Sequence, residues 1–170
     1  MKKICCIVTL CVVGVFGATD LPTSAVSIRS MATGYLLKNN TKKAKSVNWE
    51  MREVLLPGYL ANKYPFGAVQ FHDIKDPSKC LANNGSWLQI DKCDMIQAGD
   101  YRSLFSILPT TTGAVQILSI ANDKCLSINP NTKMKHKLLE IQTCQTAQKI
   151  DMQWLWVIAP AVVESKVIKR

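Results

Sequence analysis

The acidic and histidine side chains are the residues of this chain that could do chemistry, and their spacing supports no catalytic site. Asp91 and Asp94 could flank a glycosidic bond, but two acids this close together beside Cys93 are more typical of a solvated loop. His72 and His136 could each act as a base, yet no Gly-x-Ser-x-Gly motif supplies a nucleophile. A glycine-rich phosphate loop is also absent from the sequence. We therefore predict a protein that is not an enzyme and needs no cofactor.

The first residues have the pattern of a secretory signal peptide. The basic start Met1–Lys3 is followed by an apolar run from Ile4 to Phe16 and by the small residues Gly17 and Ala18. The run is shorter than the roughly 20 apolar residues that a membrane-spanning helix needs. We predict that residues 1–17 are a signal peptide cleaved after Gly17. The remaining chain, 18–170, is expected to be secreted into the periplasm or the medium.

Export changes how the seven cysteines are interpreted. Three of them, Cys5, Cys6 and Cys11, belong to the predicted signal peptide. The mature chain keeps an even number for an oxidising compartment, namely Cys80, Cys93, Cys125 and Cys144. Zinc is the alternative, but there is no Cys-x-x-Cys motif, and the two histidines lie at no ligand spacing. Two disulfides and no metal site are predicted, although cysteine number alone leaves the pairing open.

The chain is basic, with a formal net charge of +9 that falls by two when Lys2 and Lys3 leave with the signal. A positive balance favours anionic partners such as a cell surface, acidic lipid or an acidic protein. No aromatic-plus-basic stripe points to nucleic acid, so we predict no direct nucleic-acid binding. Solvated loops and termini account for the larger share of this charge, at Lys42, Lys43, Lys45, Lys166, Lys169 and Arg170.

A threefold internal repeat predicts the architecture. An alternating apolar and polar segment is followed, after a polar turn, by a second segment containing Leu, and the copies begin about 45 residues apart. The three copies are Val26–Ser30 with Thr33–Leu37, Val69–Asp73 with Ser78–Ala82, and Val115–Ser119 with Asp123–Ser127. Each copy is typical of a half-buried strand, a turn and a second strand.

Strand and turn signals also fill the space between the copies. Asn84-Gly85 is a strong hairpin turn before Trp87–Ile90, and a further turn at Asn129–Asn131 leads to Leu139–Gln142. A short helix is predicted over Trp49–Leu56, ended by Pro57-Gly58. Three units of about four strands predict an all-β protein with a single β-trefoil. The expected repeats are 26–68, 69–114 and 115–160, with flexible tails at both ends.

The repeat also selects a disulfide pairing. The second and third copies each carry one cysteine in the second strand and one at the end of the unit. Pairing within a unit keeps the symmetry and joins Cys80 to Cys93 and Cys125 to Cys144. Each closure stabilises the fold by roughly 3 kcal/mol in the chain-entropy model. The first copy has Tyr35-Leu36 in place of Cys-Leu, so no disulfide is expected there.

The repeat resembles that of the ricin-B lectins and, more specifically, the lectin-like subunits of the cytolethal distending toxins. The C-subunit family is more similar than the A-subunit family, whose members are typically longer and have an aromatic-rich insertion that is missing here. The resemblance extends from about residue 26 to Pro160. It rests on Val26–Ser30, Val47–Glu50, Phe66–Phe71, Leu104–Ile117 and Trp154–Trp156.

This resemblance implies a toxin of three parts. Such a chain would be a non-catalytic subunit that binds the host cell surface and, with a second lectin-like subunit, delivers a DNase-I-like nuclease. The alternative is a free-standing secreted carbohydrate-binding lectin or trefoil inhibitor. The resemblance is incomplete at the sugar sites, because the expected Cys-Leu-Asp ends in Ala82 in one copy and in Ser127 in another. We predict that simple galactose sites have been lost.

A short segment suggests a lipid or receptor site instead. Leu56, Tyr59 and Lys63 fit the loose Leu/Val-x-Tyr-x-Lys pattern proposed for cholesterol, a pattern that often occurs by chance. The alternative is a surface loop with a partly buried Tyr59. Trp87, directly after the Asn-Gly turn, is the tryptophan expected to be exposed. These four residues are the predicted contacts with a host glycan or a cholesterol-rich membrane.

Overall fold

The computed structural model describes residues 25–41, 44–132, 138–146 and 150–162. The predicted signal peptide with its three cysteines, His136, Lys42, Lys43 and the C-terminal basic residues lie outside these ranges. The described residues form twelve β-strands and one short α-helix. The strands are β1 (Ala25–Ser30), β2 (Asn39–Thr41), β3 (Ala44–Ser46), β4 (Asn48–Val54), β5 (Ala68–Asp73), β6 (Lys79–Asn83), β7 (Leu88–Lys92), β8 (Phe105–Pro109), β9 (Val115–Ser119), β10 (Lys124–Ile128), β11 (Leu139–Thr143) and β12 (Trp156–Pro160). Helix α1 (Gly58–Lys63) connects β4 to β5, and 3-10 helices cover Cys93–Ala98 and Met152–Trp154.

Six strands close into an antiparallel barrel. The pairs β1–β4, β4–β5, β5–β8, β8–β9, β9–β12 and β12–β1 form a complete ring, so none of these six strands has a free edge. The other six strands form three hairpins, β2–β3, β6–β7 and β10–β11. Four strands in each of three units, with one hairpin per unit, is the β-trefoil. The predicted β-trefoil is confirmed.

The core is built from equivalent positions of the three units. Each unit contributes one residue of its first strand, a leucine and an aromatic ring, all almost fully buried: Ile28, Leu37 and Trp49; Phe71, Leu81 and Phe105; Ile117, Leu126 and Trp156. The indole N–H of each tryptophan donates to the carbonyl of the leucine in its own unit, Leu37 at 3.0 Å and Leu126 at 2.9 Å. The second unit has Phe105 at this position, which packs 5.8 Å from the ring of Phe71 but has no such donor.

Polar contacts link neighbouring units at a second set of equivalent positions. The Asn39 side-chain amide donates to the Asp73 carboxylate, and Asn83 donates to the Ser119 hydroxyl at 2.8 Å. The third link would join residue 128 to Ser30. Ile128 occupies this position, and the buried Ser30 hydroxyl has no hydrogen-bond partner among the described residues. The threefold symmetry is therefore complete in the apolar core but broken in the polar ring around it.

Both predicted disulfides are confirmed. Cys80 is bonded to Cys93 and Cys125 to Cys144, with Cα–Cα distances of 5.1 and 4.8 Å. The alignment of the first unit was wrong by one residue. Leu36 lies opposite Arg29 as Cys80 lies opposite His72 and Cys125 opposite Leu118, so Leu36-Leu37 replaces Cys-Leu, not Tyr35-Leu36.

The helix predicted over Trp49–Leu56 is also wrong. Residues Asn48–Val54 form β4, which pairs with β5 over six consecutive residues. The helix begins after Pro57 instead, beyond the end of the β4–β5 ladder. The hairpin at Asn84-Gly85 is confirmed, with Gly85 at φ 82° and the Asn84 amide donating to the Trp87 carbonyl. Within the described ranges, no helix is long and apolar enough to cross a membrane.

Candidate functional site

The connection between β4 and β5 carries an unusual amount of exposed apolar surface. The side chains of Leu55, Tyr59 and Phe66 are 98%, 67% and 59% exposed. We refer to these three residues as the apolar surface. Single exposed hydrophobic residues are ordinary, but three within twelve positions of one connection make it a candidate contact site.

Helix α1 positions this surface by anchoring its opposite side. The amides of Leu60 and Ala61 donate to the Pro57 carbonyl, and the Tyr64 amide donates to Leu60 as the helix ends. Tyr64 belongs to a second apolar cluster, separate from the barrel core, together with the buried residues Ala68, Leu104 and Ile120. The half-buried Leu56 and Leu60 pack against this cluster. Packing against this cluster therefore holds the connection in place, while Leu55, Tyr59 and Phe66 remain exposed to solvent.

Two tyrosine hydroxyls join the helix to the second unit. The hydroxyls of Tyr59 and Tyr101 lie 2.8 Å apart. The hydrogen bond to Tyr59 raises the pKa of Tyr101, because this bond favours the protonated phenol. Tyr59 is thus linked to the second unit through its hydroxyl while the residue remains 67% exposed.

An ion pair joins the end of the helix to the third unit. The Lys63 ammonium lies 2.5 Å from the Asp123 carboxylate, which also accepts a hydrogen bond from the Tyr64 hydroxyl at 2.5 Å. The Lys63 hydrogen bond, followed by that from Tyr64, lowers the pKa of Asp123. Asp123 has φ 57°, a left-handed conformation that aspartate tolerates in turns. Lys63 therefore links the first unit to the third through an ion pair, although its side chain is about half exposed.

The structure separates the four predicted contact residues by role. Leu56 is half-buried in the second cluster, Lys63 is ion-paired, and Tyr59 presents an exposed ring. Trp87 is 52% exposed in the β6–β7 turn. The turn between β9 and β10 contacts both regions, through Asp123 to Lys63 and through Asn122 to the Gly85 carbonyl at 3.3 Å.

Two exposed residues were missed by the sequence reasoning. Leu55 and Phe66 are both apolar residues in the segment that includes Pro57. Phe66 lies between the turn formers Pro65 and Gly67, and this is the sequence signal that could have indicated its exposure. Leu55 directly follows the last residue of β4. Because successive side chains of an extended chain lie on opposite sides, Leu55 is exposed while the next residue, Leu56, is half-buried.

The two positions where a sugar-binding aspartate was expected are buried. Ala82 lies on β6 and Ser127 on β10, and neither presents a polar group to solvent. Asp91 accepts a hydrogen bond from Gln89 at 3.1 Å and lies 3.7 Å from Arg102. Arg102 also pairs with Asp100, whose pKa it lowers. These polar groups are engaged with one another.

One cluster of potential metal ligands has another explanation. His72, Cys80 and Cys93 offer ligand atoms within 4.8 Å of one another. The two sulfur atoms are joined in a disulfide, so neither is available as the thiolate that zinc requires.

The comparisons with known proteins agree with this architecture. The family model described as "Cytolethal distending toxin A/C domain" matches residues 25–167. Two curated relatives are the A subunits of the cytolethal distending toxins of Aggregatibacter actinomycetemcomitans and Haemophilus ducreyi. They are 28% and 27% identical over 89 residues, which cover 52% of this chain and 39% of each relative. The chain thus spans about two fifths of the length of these relatives.

Solved structures extend the likeness to the whole fold. The cytolethal distending toxin of Haemophilus ducreyi matches with a TM-score of 0.68 and 21% identity, covering 88% of this chain and 94% of the matched chain. The toxin of Actinobacillus actinomycetemcomitans matches with the same score and identity, covering 92% and 98%. A structure described as the BEL β-trefoil matches at 0.60 with 11% identity, covering 81% and 93%. At these identities the matches show the fold alone.

Proposed function

The chain belongs to the cytolethal distending toxin A/C domain family, and from this premise we propose that it is the cell-surface-binding and delivery subunit of a three-part bacterial toxin. In this proposal it assembles with a second lectin-like subunit and a DNase-I-like nuclease, and it performs no catalysis. The family match over most of the chain is the observation that carries the proposal. The ion pairs of Asp91 and Asp100 with Arg102 support a role in binding rather than chemistry, because these carboxylates already have a basic partner.

Within the family, we propose that the chain fills the C-subunit position. The curated relatives it matches are A subunits, but it spans less than half of their length. By contrast, it covers the matched chains of the two toxin structures almost completely. The resemblance of residues 26–160 to the C-subunit family is the observation that favours this position. Export through the signal peptide at residues 1–17 is part of the same proposal.

The chain ends are proposed to reach the partner subunits. The Ala161 amide donates to the Ala25 carbonyl at 3.1 Å, and the side-chain amide of Asn48 exchanges two hydrogen bonds with the backbone of Val162. Both ends of the trefoil therefore leave the barrel at one place, fixed by Asn48. Segments that emerge side by side can extend over the same neighbouring subunit.

The apolar surface is proposed to contact the host membrane. Leu55, Tyr59 and Phe66 expose apolar groups that can enter the boundary of the lipid headgroups, where tyrosine is well suited because its ring is apolar and its hydroxyl polar. The exposed Trp87 and the basic chain favour the same anionic, cholesterol-rich surface. Leu56 and Lys63 serve to hold the helix, so the cholesterol pattern acts through Tyr59 and its exposed neighbours.

Co-expression tests the assembly. We expect this chain to co-purify with a nuclease subunit and a second lectin-like subunit of the same toxin as one complex of equal stoichiometry, measured by size-exclusion chromatography with light scattering. The isolated chain is expected to have no effect on cultured cells. A chain that stays monomeric beside both partners and binds a glycan array by itself would instead be a free-standing lectin.

A further inference from the structure

The two disulfides occupy equivalent positions but have different neighbours. In each, the first cysteine is fully buried, Cys80 and Cys125, and the second is half-buried, Cys93 and Cys144. Solvent therefore has similar access to both bonds. The residue opposite the buried cysteine differs, because His72 lies across from Cys80 while Leu118 lies across from Cys125.

The imidazole of His72 is held against the disulfide. Its Nδ1 lies 2.8 Å from the Pro77 carbonyl and 3.2 Å from Cys93 Sγ, and its Nε2 lies 3.2 Å from Oε1 of Gln70. The Gln70 amide is itself fixed by donating to the Cys93 carbonyl and the Ser103 hydroxyl. Both ring nitrogens contact acceptor oxygens, and the shorter contact, to the Pro77 carbonyl, favours placing the N–H at Nδ1, the ring nitrogen beside the sulfur. Burial lowers the pKa of His72, which favours the neutral ring with a single N–H.

We propose that Cys93 is a thiol-exchange site and that His72 makes the Cys80–Cys93 bond the more readily opened of the two disulfides. The ligand class is a small thiol or dithiol, or the reactive cysteine of a thiol–disulfide oxidoreductase. The inference does not depend on the proposed toxin role.

The exchange follows ordinary thiol–disulfide chemistry. An external thiolate attacks the accessible Cys93 sulfur, a new sulfur–sulfur bond forms, and the Cys80–Cys93 bond breaks with its electron pair on Cys80. A second thiol then attacks the external sulfur of this mixed disulfide and releases Cys93 as a thiolate. The products are the two protein thiols and one external disulfide, so two external thiols are oxidised.

His72 acts in the release of sulfur. When the second exchange releases Cys93 as a thiolate, the Nδ1–H of the neutral ring can donate a hydrogen bond to it across 3.2 Å, while the proton stays on the nitrogen. A hydrogen bond to the thiolate favours the charged form and so lowers the thiol pKa of Cys93. A lower leaving-group pKa speeds the exchange that releases Cys93, so about a tenfold rate difference is expected. Leu118 offers no hydrogen-bond donor to the other disulfide.

Partial reduction of the full chain tests the proposal. The protein is treated with limiting dithiothreitol at pH 8, quenched with iodoacetamide at intervals, and digested, and the alkylated cysteines are quantified by mass spectrometry. We expect labelling of Cys80 and Cys93 about tenfold faster than of Cys125 and Cys144. Equal rates, or the reverse order, would overturn the proposal.

Exchanged neighbours supply the matched controls. In the second unit, His72→Leu introduces the residue that the third unit has at the equivalent position, Leu118. This variant is expected to remove the rate difference and to leave the circular dichroism spectrum unchanged. If this variant fails to fold, Leu118→His is decisive, because it is expected to accelerate reduction of Cys125–Cys144. Unchanged order in a folded His72→Leu variant, or no acceleration by Leu118→His, contradicts the role of the imidazole.

Discussion

Replacement of Trp156 by alanine is expected to lower the free energy of unfolding by about 3–5 kcal/mol. The side chain is fully buried in the barrel core, and its removal leaves a large cavity among residues that the closed barrel holds in position. It also leaves the Leu126 carbonyl without the indole N–H that donates to it at 2.9 Å. Urea unfolding followed by fluorescence and circular dichroism measures the change.

Trp156→Phe is the control that separates packing from hydrogen bonding. It places in the third unit the ring that the second unit already has at Phe105, so most of the apolar contact is kept. The expected loss is about 1–2 kcal/mol, mainly from the unpaired carbonyl. An alanine variant as stable as the phenylalanine variant would mean that the ring does not support the core as described.

Replacement of Asp73 by alanine is expected to cost about 3 kcal/mol, the second largest effect. Its buried carboxylate accepts hydrogen bonds from the Asn39 side chain and from the Lys75 amide, so alanine removes the acceptor for both. Loss of a hydrogen bond to a charged group costs roughly 1.5–3 kcal/mol, and the donor left in the interior adds to this. Thermal and urea unfolding at pH 7 measure the loss.

Ser30 provides the matched control for Asp73, because it has the equivalent position in the first unit. Its hydroxyl is buried without a hydrogen-bond partner in the described part of the chain, so Ser30→Ala removes a desolvated polar group and loses no bond seen there. A change within about 0.5 kcal/mol is expected. Equal losses at the two positions would show that the polar ring between units does not contribute specifically to stability.

The fold could be predicted from the repeat because the sequence features that define each copy lie within short segments. Alternating strands, an Asn-Gly turn and a Cys-Leu pair in two of three copies are visible within short segments. The one-residue error in the first unit arose where these features are missing, since Leu36 and Leu37 are both apolar and either can follow the turn. Glu50, Met51 and Arg52 favour helices in isolation, so the local sequence predicts a helix where the structure has β4. Its pairing with β5 overrides that preference.

The candidate site was predictable only in part because its contacts join distant segments. Tyr59 and Lys63 are near each other in the sequence, but their partners, Tyr101 and Asp123, lie in the second and third units. A pattern within one segment cannot show that Lys63 is paired. Nor can it show that Leu55 points to solvent while the adjacent Leu56 packs inward, since this depends on where the strand stops.

The host cell is proposed to be bound by the exposed apolar surface of Leu55, Tyr59 and Phe66 rather than by a sugar pocket. Binding of the assembled three-subunit complex to cultured cells, measured by flow cytometry, tests this with the double variant Leu55→Ser/Phe66→Ser. The control is Met152→Ser, which removes another exposed apolar side chain from a different part of the fold. About tenfold weaker binding is expected for the double variant, with assembly and melting temperature unchanged and the control unaffected. Cell binding by the double variant equal to that of the unaltered complex would contradict the account.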